Sequence, residues 1–524
     1  MKISIYLYLY LLVLCITRFC SAYGSNEGQD PAYTTTILYV SPLAKSSTEF
    51  LCGFDIDHAC LTISDALYSF FNSKAMENFT LDSNPLPPLA IILDDQDGIE
   101  YSVNTLALTH TIPLYGFNIT IQTLHSRYVN INGENKTGSE ALFSVPHLWT
   151  WRQLNTSITL KNLVFHSFNS PIFSSQVNTS IALVVDNCVF IDSVATIFSI
   201  VASNPDPSFQ FIQSKFINLQ GSLSITGGQV KFIDSIVRDS IFRLNIHQSN
   251  ISMIGCVFVN NTGNDSQRLI ELVNSHYSIQ DCTFKQNQHH QSILYFQDSI
   301  GVVCNTQFKS NSAIDDGLIY SKQGSMSILN SKFRLNSGSM IVSLNTTVVI
   351  GACLFSNNYS LKGTVSATNI DYLYIYNTNI IYEHHHQQLQ PKENIFSLDN
   401  TNAIFYNSTI ILGPDTKVNE KDFSFIRCTN SLISFEKTTI HSNDSQHLVV
   451  TCLSCNVENL DNTSNYLCPN DRSNSNSHSN SNGGSNNTST SSRSRNELYI
   501  NNTKNIIILL FVLFCIISVI VFYL

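Results

Sequence analysis

Lys285, Lys309 and Arg334 each stand immediately after a phenylalanine in a recurring phrase, and Arg238 holds the same place two repeats before Lys285. Cations at matched positions of successive strands repel one another, so such a stripe on an acidic chain needs a reason. The chemistry it suggests is a track for a sulfated or carboxylated glycan. The plainer account is a solvated edge that keeps a β surface from aggregating. Paired acids occur at Asp94-Asp95 and Asp315-Asp316. Two carboxylates can serve glycoside hydrolysis as acid and base, although aspartates in turn segments are more simply solvated turn residues. His289-His290 and the run "EHHHQQ" (Glu383–Gln388) invite a metal reading. Adjacent side chains on extended backbone point in opposite directions, so both read as exposed loops. No metal or cofactor is expected.

Cys428, Cys452, Cys455 and Cys468 cluster near the end of the patterned region. In a secreted chain, thiols so spaced read as a disulfide-stapled end cap rather than a zinc site. Cys188, Cys256, Cys282 and Cys353 fall at one position of the repeat and read as buried small residues. Of these, only Cys256 and Cys282 lie on adjacent repeats, where a bond between them is geometrically conceivable.

The elements that must position these groups follow from the repeat itself. "ISMIGCVFVNN" (251–261), "YSIQDCTFKQN" (277–287) and "VVIGACLFSNN" (348–358) are versions of one phrase. Its anchor is Phe165, Phe190, Phe216, Val237, Phe258, Phe284, Phe308, Phe333, Phe355, Ile380, Ile410 and Ile440. The spacing is about 21–30 residues, a solenoid period, and alternation of apolar positions before the anchor is that of a strand. Three residues before the anchor stand Asn, Asp or Gly, types that tolerate a left-handed corner. Three residues after it stand Asn261, Asn287, Asn311, Asn336, Asn358 and Asn443, which mark another corner and can hydrogen-bond along a ladder. Two before it runs a column of small residues that shares the inward face with the anchor and lets the interior fill. The chain is therefore expected to be all-β, a parallel β-helix whose stacked coils bury one another. Between Pro88 and Leu448 there is room for about fourteen coils, a rod of roughly 65 Å.

"YVSPLAKSSTEFLCGFDIDHACLTISDAL" (Tyr39–Leu67), followed by "AIILDDQDGIEYSV", resembles the start of right-handed parallel β-helix proteins of the pectin-lyase-like superfamily. The resemblance implies a right-handed solenoid over roughly residues 37–445. It further implies a disulfide between Cys52 and Cys60, a capping helix at 63–71, and a first-coil turn at Asp97–Tyr101. The look-alikes nearest in character are non-enzymatic, Asn-rich surface proteins. The Asn-Thr-Asp, Gly-His-Gly and Arg-Ile-Lys motifs of polygalacturonase-like members are absent, as are pectin-methylesterase motifs. No catalytic residue is expected, since the fold alone licenses no activity.

The ends set the expected topology. Residues 1–22 have the length, early lysine and small terminal residues of a signal peptide. The apolar run at 506–524 is about nineteen residues long and fits either a spanning helix or a GPI signal. Between them the expected order is an N-terminal strand, cysteine loop and capping helix (23–87), the β-helix (88–448), a Cys-rich cap (449–470) and a Ser/Asn-rich stalk (471–505). About sixteen Asn-x-Ser/Thr sites suit a secretory route. Candidates within the patterned region and its flanks are Asn78, Asn118, Asn135, Asn155, Asn178, Asn250, Asn260, Asn264, Asn345, Asn358, Asn407, Asn443 and Asn462. The net charge of −10 speaks against nucleic acid as a partner. The reading is a membrane-tethered, outward-facing β-helix for noncatalytic recognition of extracellular glycans or surface proteins. Its rivals are a divergent polysaccharide lyase or hydrolase and a passive coat or spacer.

Overall fold

The computed structural model describes residues 35–44, 52–72, 88–96, 99–102, 118–133, 141–145, 157–175, 181–202, 208–263, 267–360, 363–382, 393–412, 423–442, 450–453 and 455–458. It is a parallel β-solenoid, nearly all strand. A 24-stranded sheet supplies most of the wall and a 14-stranded sheet carries the anchor residues. A single α-helix, Ile63–Phe71, occurs among the described residues. Its N-cap Thr62 accepts a hydrogen bond from the Asp65 amide at 3.0 Å, which satisfies one of the helix's otherwise unpaired donors. Ala66, Leu67 and Phe70 are buried.

Every anchor residue from Phe165 to Ile440 pairs in register with the next. The column also reaches back through Ile131 to Tyr101. Neighbouring rings stack nearly parallel: Phe258–Phe284 at 4.8 Å, Phe284–Phe308 at 5.0 Å, Phe308–Phe333 and Phe333–Phe355 both at 4.7 Å. Those distances are the strand spacing itself, so the register that satisfies the backbone also stacks the rings.

Corners are made by left-handed backbone. Asn162, Asn187, Asp234, Gly255, Asp281, Asn305, Asn330, Asn377 and Asn407 all have positive φ, as their place three residues before the anchor requires. The residue that follows each corner is buried, and after every corner but Asn162 it is small. Where it carries a hydroxyl, that group donates to the carbonyl two residues back, as in Ser214 to Ile212 (3.0 Å) and Ser331 to Leu329 (2.9 Å).

The second corner differs from expectation. The left-handed residue sits two after the anchor, at Asp192, Asn218, Asp239, Asn260, Gln286, Ser310, Leu335 and Asn357. The asparagines three after it, Asn261, Asn287, Asn311, Asn336 and Asn358, point inward and are buried. A third set of left-handed residues, including Gln248, Asn274, Asp298, Gln323, Asn345, Asn369 and Asn400, turns the other wall. Five of these lie inside long strands: Ser292–Cys304 and Gly317–Leu329 bend there and resume the same register, whereas the pairing of Ile341–Gly351 with Val365–Tyr376 shifts register after Leu344.

Pairing continues past the expected boundary at Leu448. Ile426–Thr429 pairs with Val450–Leu453, and Leu432–Ser434 with Asn456–Glu458. Among the described residues no helix is long and apolar enough to cross a membrane. Segments 1–22, 471–505 and 506–524 lie outside the described residues.

Candidate functional site

Alternation along a three-residue strand puts the central phenylalanine inward and both neighbours outward. In Thr283–Lys285, Gln307–Lys309 and Lys332–Arg334 the outer residues are therefore displayed on one face. Lys285, Lys309 and Arg334 pair in sequence across three successive strands, and all three are exposed. Adjacent rungs lie about 4.8 Å apart, where two like charges in water cost about 1 kcal/mol. Among the described residues, none of the three forms an ion pair with a carboxylate. Lys332 adds a fourth cation beside Arg334 on the same face; its offset from the anchor differs, so the repeat did not single it out.

Arg238 belongs to the same column but stands apart from this group. Val259 occupies the rung between Arg238 and Lys285, and Arg238 Nε lies 3.8 Å from Asp239 Oδ2. The uncompensated stripe is thus Lys285, Lys309, Lys332 and Arg334. Leu335, next in the chain, is exposed and has φ of 55°. A bulky apolar residue in left-handed backbone is uncommon, and strain of this kind gathers at functional positions.

The paired acids are not all solvated turn residues. The Asp95 side chain is fully buried. One of its oxygens accepts from the His125 and Arg127 amides at 2.7 and 3.2 Å, and the other meets His125 Nδ1 at 2.7 Å. Burial alone would raise its pKa, but the hydrogen bonds from His125 and Arg127 outweigh that and hold it below the usual carboxylate range. Asp94 is buried as well and accepts from Ser41 Oγ at 3.1 Å. Asp94 and Asp95 thus hold the first coils together rather than face solvent.

Asp315 is exposed, whereas Asp316 joins a cluster on the outer wall that no sequence motif marks. Arg268 Nη1 donates to Glu271 Oε1 at 3.1 Å, and its Nη2 lies 3.9 Å from Asp316 Oδ2. Arg243 Nη2 meets the other Glu271 oxygen. The Arg268 guanidinium lies 3.4 Å over the Tyr295 ring, which stacks on Tyr320 at 5.4 Å. Glu271 is held by two guanidiniums, one at each carboxylate oxygen.

His289 is buried rather than in an exposed loop. Its Nδ1 donates to the Gln267 carbonyl at 3.3 Å, and burial pushes its pKa down to about 4. His290 is exposed. Among the described residues no three His, Cys, Asp or Glu side chains gather as metal ligands; Glu383–Gln388 lies outside them.

Cys52 and Cys60 are joined by a disulfide, as are Cys428 and Cys455. Cys452 pairs with Cys428 through the backbone register, and Cys468 lies outside the described residues. Among the glycan acceptors, Asn118, Asn260, Asn345 and Asn407 are exposed and Asn250 is half-buried. Asn358 is a correction: it is 5% exposed, and its Nδ2 donates to the Phe333 carbonyl at 2.9 Å. The nitrogen that would carry a sugar is inside the ladder. Asn78, Asn135, Asn155, Asn178, Asn264, Asn443 and Asn462 lie outside the described residues.

No protein-family model matches the chain, and no curated protein matches its sequence. Solved structures similar to it include bacteriophage CBA120 tailspike protein 3, at 10% identity and a TM-score of 0.30 over 70% of this chain. The chain spans 56% of that tailspike. The A-module of the Azotobacter vinelandii mannuronan C-5 epimerase AlgE6 is similar at 10% identity and a TM-score of 0.21, covering 71% of this chain and 91% of the module. The alginate lyase AlyF-OU02 is similar at 8% identity and a TM-score of 0.19, covering 71% of this chain and 77% of the lyase. The fold rests on the strand pairing described above, which is that of a parallel β-solenoid.

Proposed function

We propose that the protein is a membrane-tethered, outward-facing β-solenoid that binds linear anionic glycans without chemically altering them. The observation that carries this reading is the in-register display of Lys285, Lys309 and Arg334, exposed and without a carboxylate partner among the described residues. Such a row lets a polyanion lying along the solenoid axis meet one cation per rung. Rows of this kind speed encounter and favour charge over shape, so binding weakens as salt rises.

The test is retention of the purified protein on sulfated, uronic and neutral polysaccharides, with new reducing ends and unsaturated products followed in parallel. Retention on the acidic polymers, lost in the K285E/K309E/R334E variant, is the expected result. Equal retention of that variant would end the proposal. A second reading, a polysaccharide lyase or hydrolase, has one observation in its favour: Glu271, Asp316, Arg243 and Arg268 meet beside Tyr295 on the outer wall. Products released by the wild-type protein, and lost in Glu271→Gln, would select that reading instead.

A further inference from the structure

Cys256 and Cys282 occupy the same inward column on adjacent rungs. The residues that follow them, Val257 and Thr283, pair in register, and the Thr283 amide donates to the Cys256 carbonyl at 2.9 Å. Both thiols are buried. Neighbouring rungs are about 4.8 Å apart, within the Cα separation of roughly 4.4–6.8 Å that a disulfide spans. Their registers are pinned close by. Phe258 stacks on Phe284 at 4.8 Å, and Asn261 Nδ2 donates to Asn287 Oδ1 at 2.9 Å.

The other cysteines of this column have no such neighbour. Cys188 is followed on the next rung by Ser214, whose hydroxyl accepts from the Cys188 amide. Cys353 is followed by Thr378 in the same way. The chain elsewhere carries the disulfides Cys52–Cys60 and Cys428–Cys455, which belong to an oxidising compartment.

We infer that Cys256 and Cys282 are a site of oxidative modification, closing a disulfide that ties one rung to the next. The two thiols lose two protons and two electrons as the S–S bond forms. A disulfide oxidant, such as oxidised glutathione or the disulfide form of a dithiol oxidoreductase, accepts them and leaves as two thiols. Because both sulfurs are buried in the finished coil, exchange precedes closure of the neighbouring rungs, and the bond resists reductant afterwards.

The test uses the full-length protein made through a secretory pathway. It is denatured in guanidinium with iodoacetamide and no reductant, then mapped by mass spectrometry. The expected result is one cross-linked peptide pair containing Cys256 and Cys282, unalkylated, with Cys188 and Cys353 alkylated. Alkylation of both Cys256 and Cys282 without reductant would overturn the inference, as would a link from either to Cys304. The Cys256→Ser and Cys282→Ser variants give an independent reading, since each should leave its former partner alkylatable. If the partner thiol of either variant stays blocked, the pairing is wrong.

Discussion

The side-chain oxygen of Asn311 accepts twice from Asn287: from its amide N–H at 3.0 Å and from Nδ2 at 2.9 Å. Asn287 Nδ2 also donates to the Phe258 carbonyl at 3.0 Å. The same double acceptance repeats between Asn261 and Asn287, Asn311 and Asn336, and Asn336 and Asn358. Each asparagine thereby satisfies buried donors that the left-handed corner takes out of the strand ladder. Replacing Asn311 by Leu strands both donors of Asn287, each worth about 1–3 kcal/mol when buried and unpaired. Denaturant unfolding of the variant should show a loss of about 3 kcal/mol, against less than about 1 kcal/mol for Asn305→Gly at an exposed corner.

Leu335 combines positive φ with exposure beside Arg334. Substituting Gly removes a clash that costs about 1–2 kcal/mol, partly offset by the greater entropy of an unfolded glycine. The variant should unfold at a slightly higher denaturant concentration. Should Leu335 also touch the ligand, the same change weakens retention on acidic glycans. Unchanged retention with raised stability would assign the residue no part in binding.

His289 gives the solenoid a pH dependence. Its folded pKa, about 4, lies below the unfolded value of 6.5, so the unfolded chain takes up the proton first. The neutral, buried imidazole therefore contributes stability that is fully present above pH 6.5 and is lost as pH falls towards 4. The size is about 3 kcal/mol over that window. A pH series of unfolding midpoints should flatten between 6.5 and 4 in His289→Leu, provided the variant folds at neutral pH. Gly263 leaves the space the ring fills, since a Cβ there would lie 2.2 Å from His289 Nδ1.

Glycopeptide mapping checks the Asn358 assignment. No glycan is expected there, because the amide nitrogen donates to the Phe333 carbonyl while the side-chain oxygen accepts from Asn336 Nδ2. Occupancy at Asn358 in folded protein would mean the ladder ends at Asn336.

Much of this was legible from spacing. The anchor column, the corner three residues before it and the small residue between them stand where residue type alone placed them. Each has one backbone conformation and one burial state to satisfy, at a fixed offset from a recognisable ring. The second corner was placed one residue too far along. Gln286, Ser310 and Leu335 carry no common side-chain signature, while the conspicuous asparagines beside them serve the interior. The turn at Asp298, Gln323, Asn345, Asn369 and Asn400 escaped notice because its residues lie inside continuous strands. Lys285, Lys309 and Arg334 could be found because they inherit the anchor's offset. Arg243, Arg268, Glu271 and Asp316 could not, since they reach one place from segments whose lengths differ from rung to rung.

The three-residue strands that carry the phenylalanines have a further consequence. Their corners and ring stack fix the pitch at which outer side chains appear, whatever the length of the loops elsewhere on each coil. A substitution at an outer position changes the letter displayed but not its address. The solenoid is in this sense a typesetter's frame. Specificity for a repeating ligand can be rewritten one rung at a time, but only ligands whose own repeat is commensurate with the frame can be read.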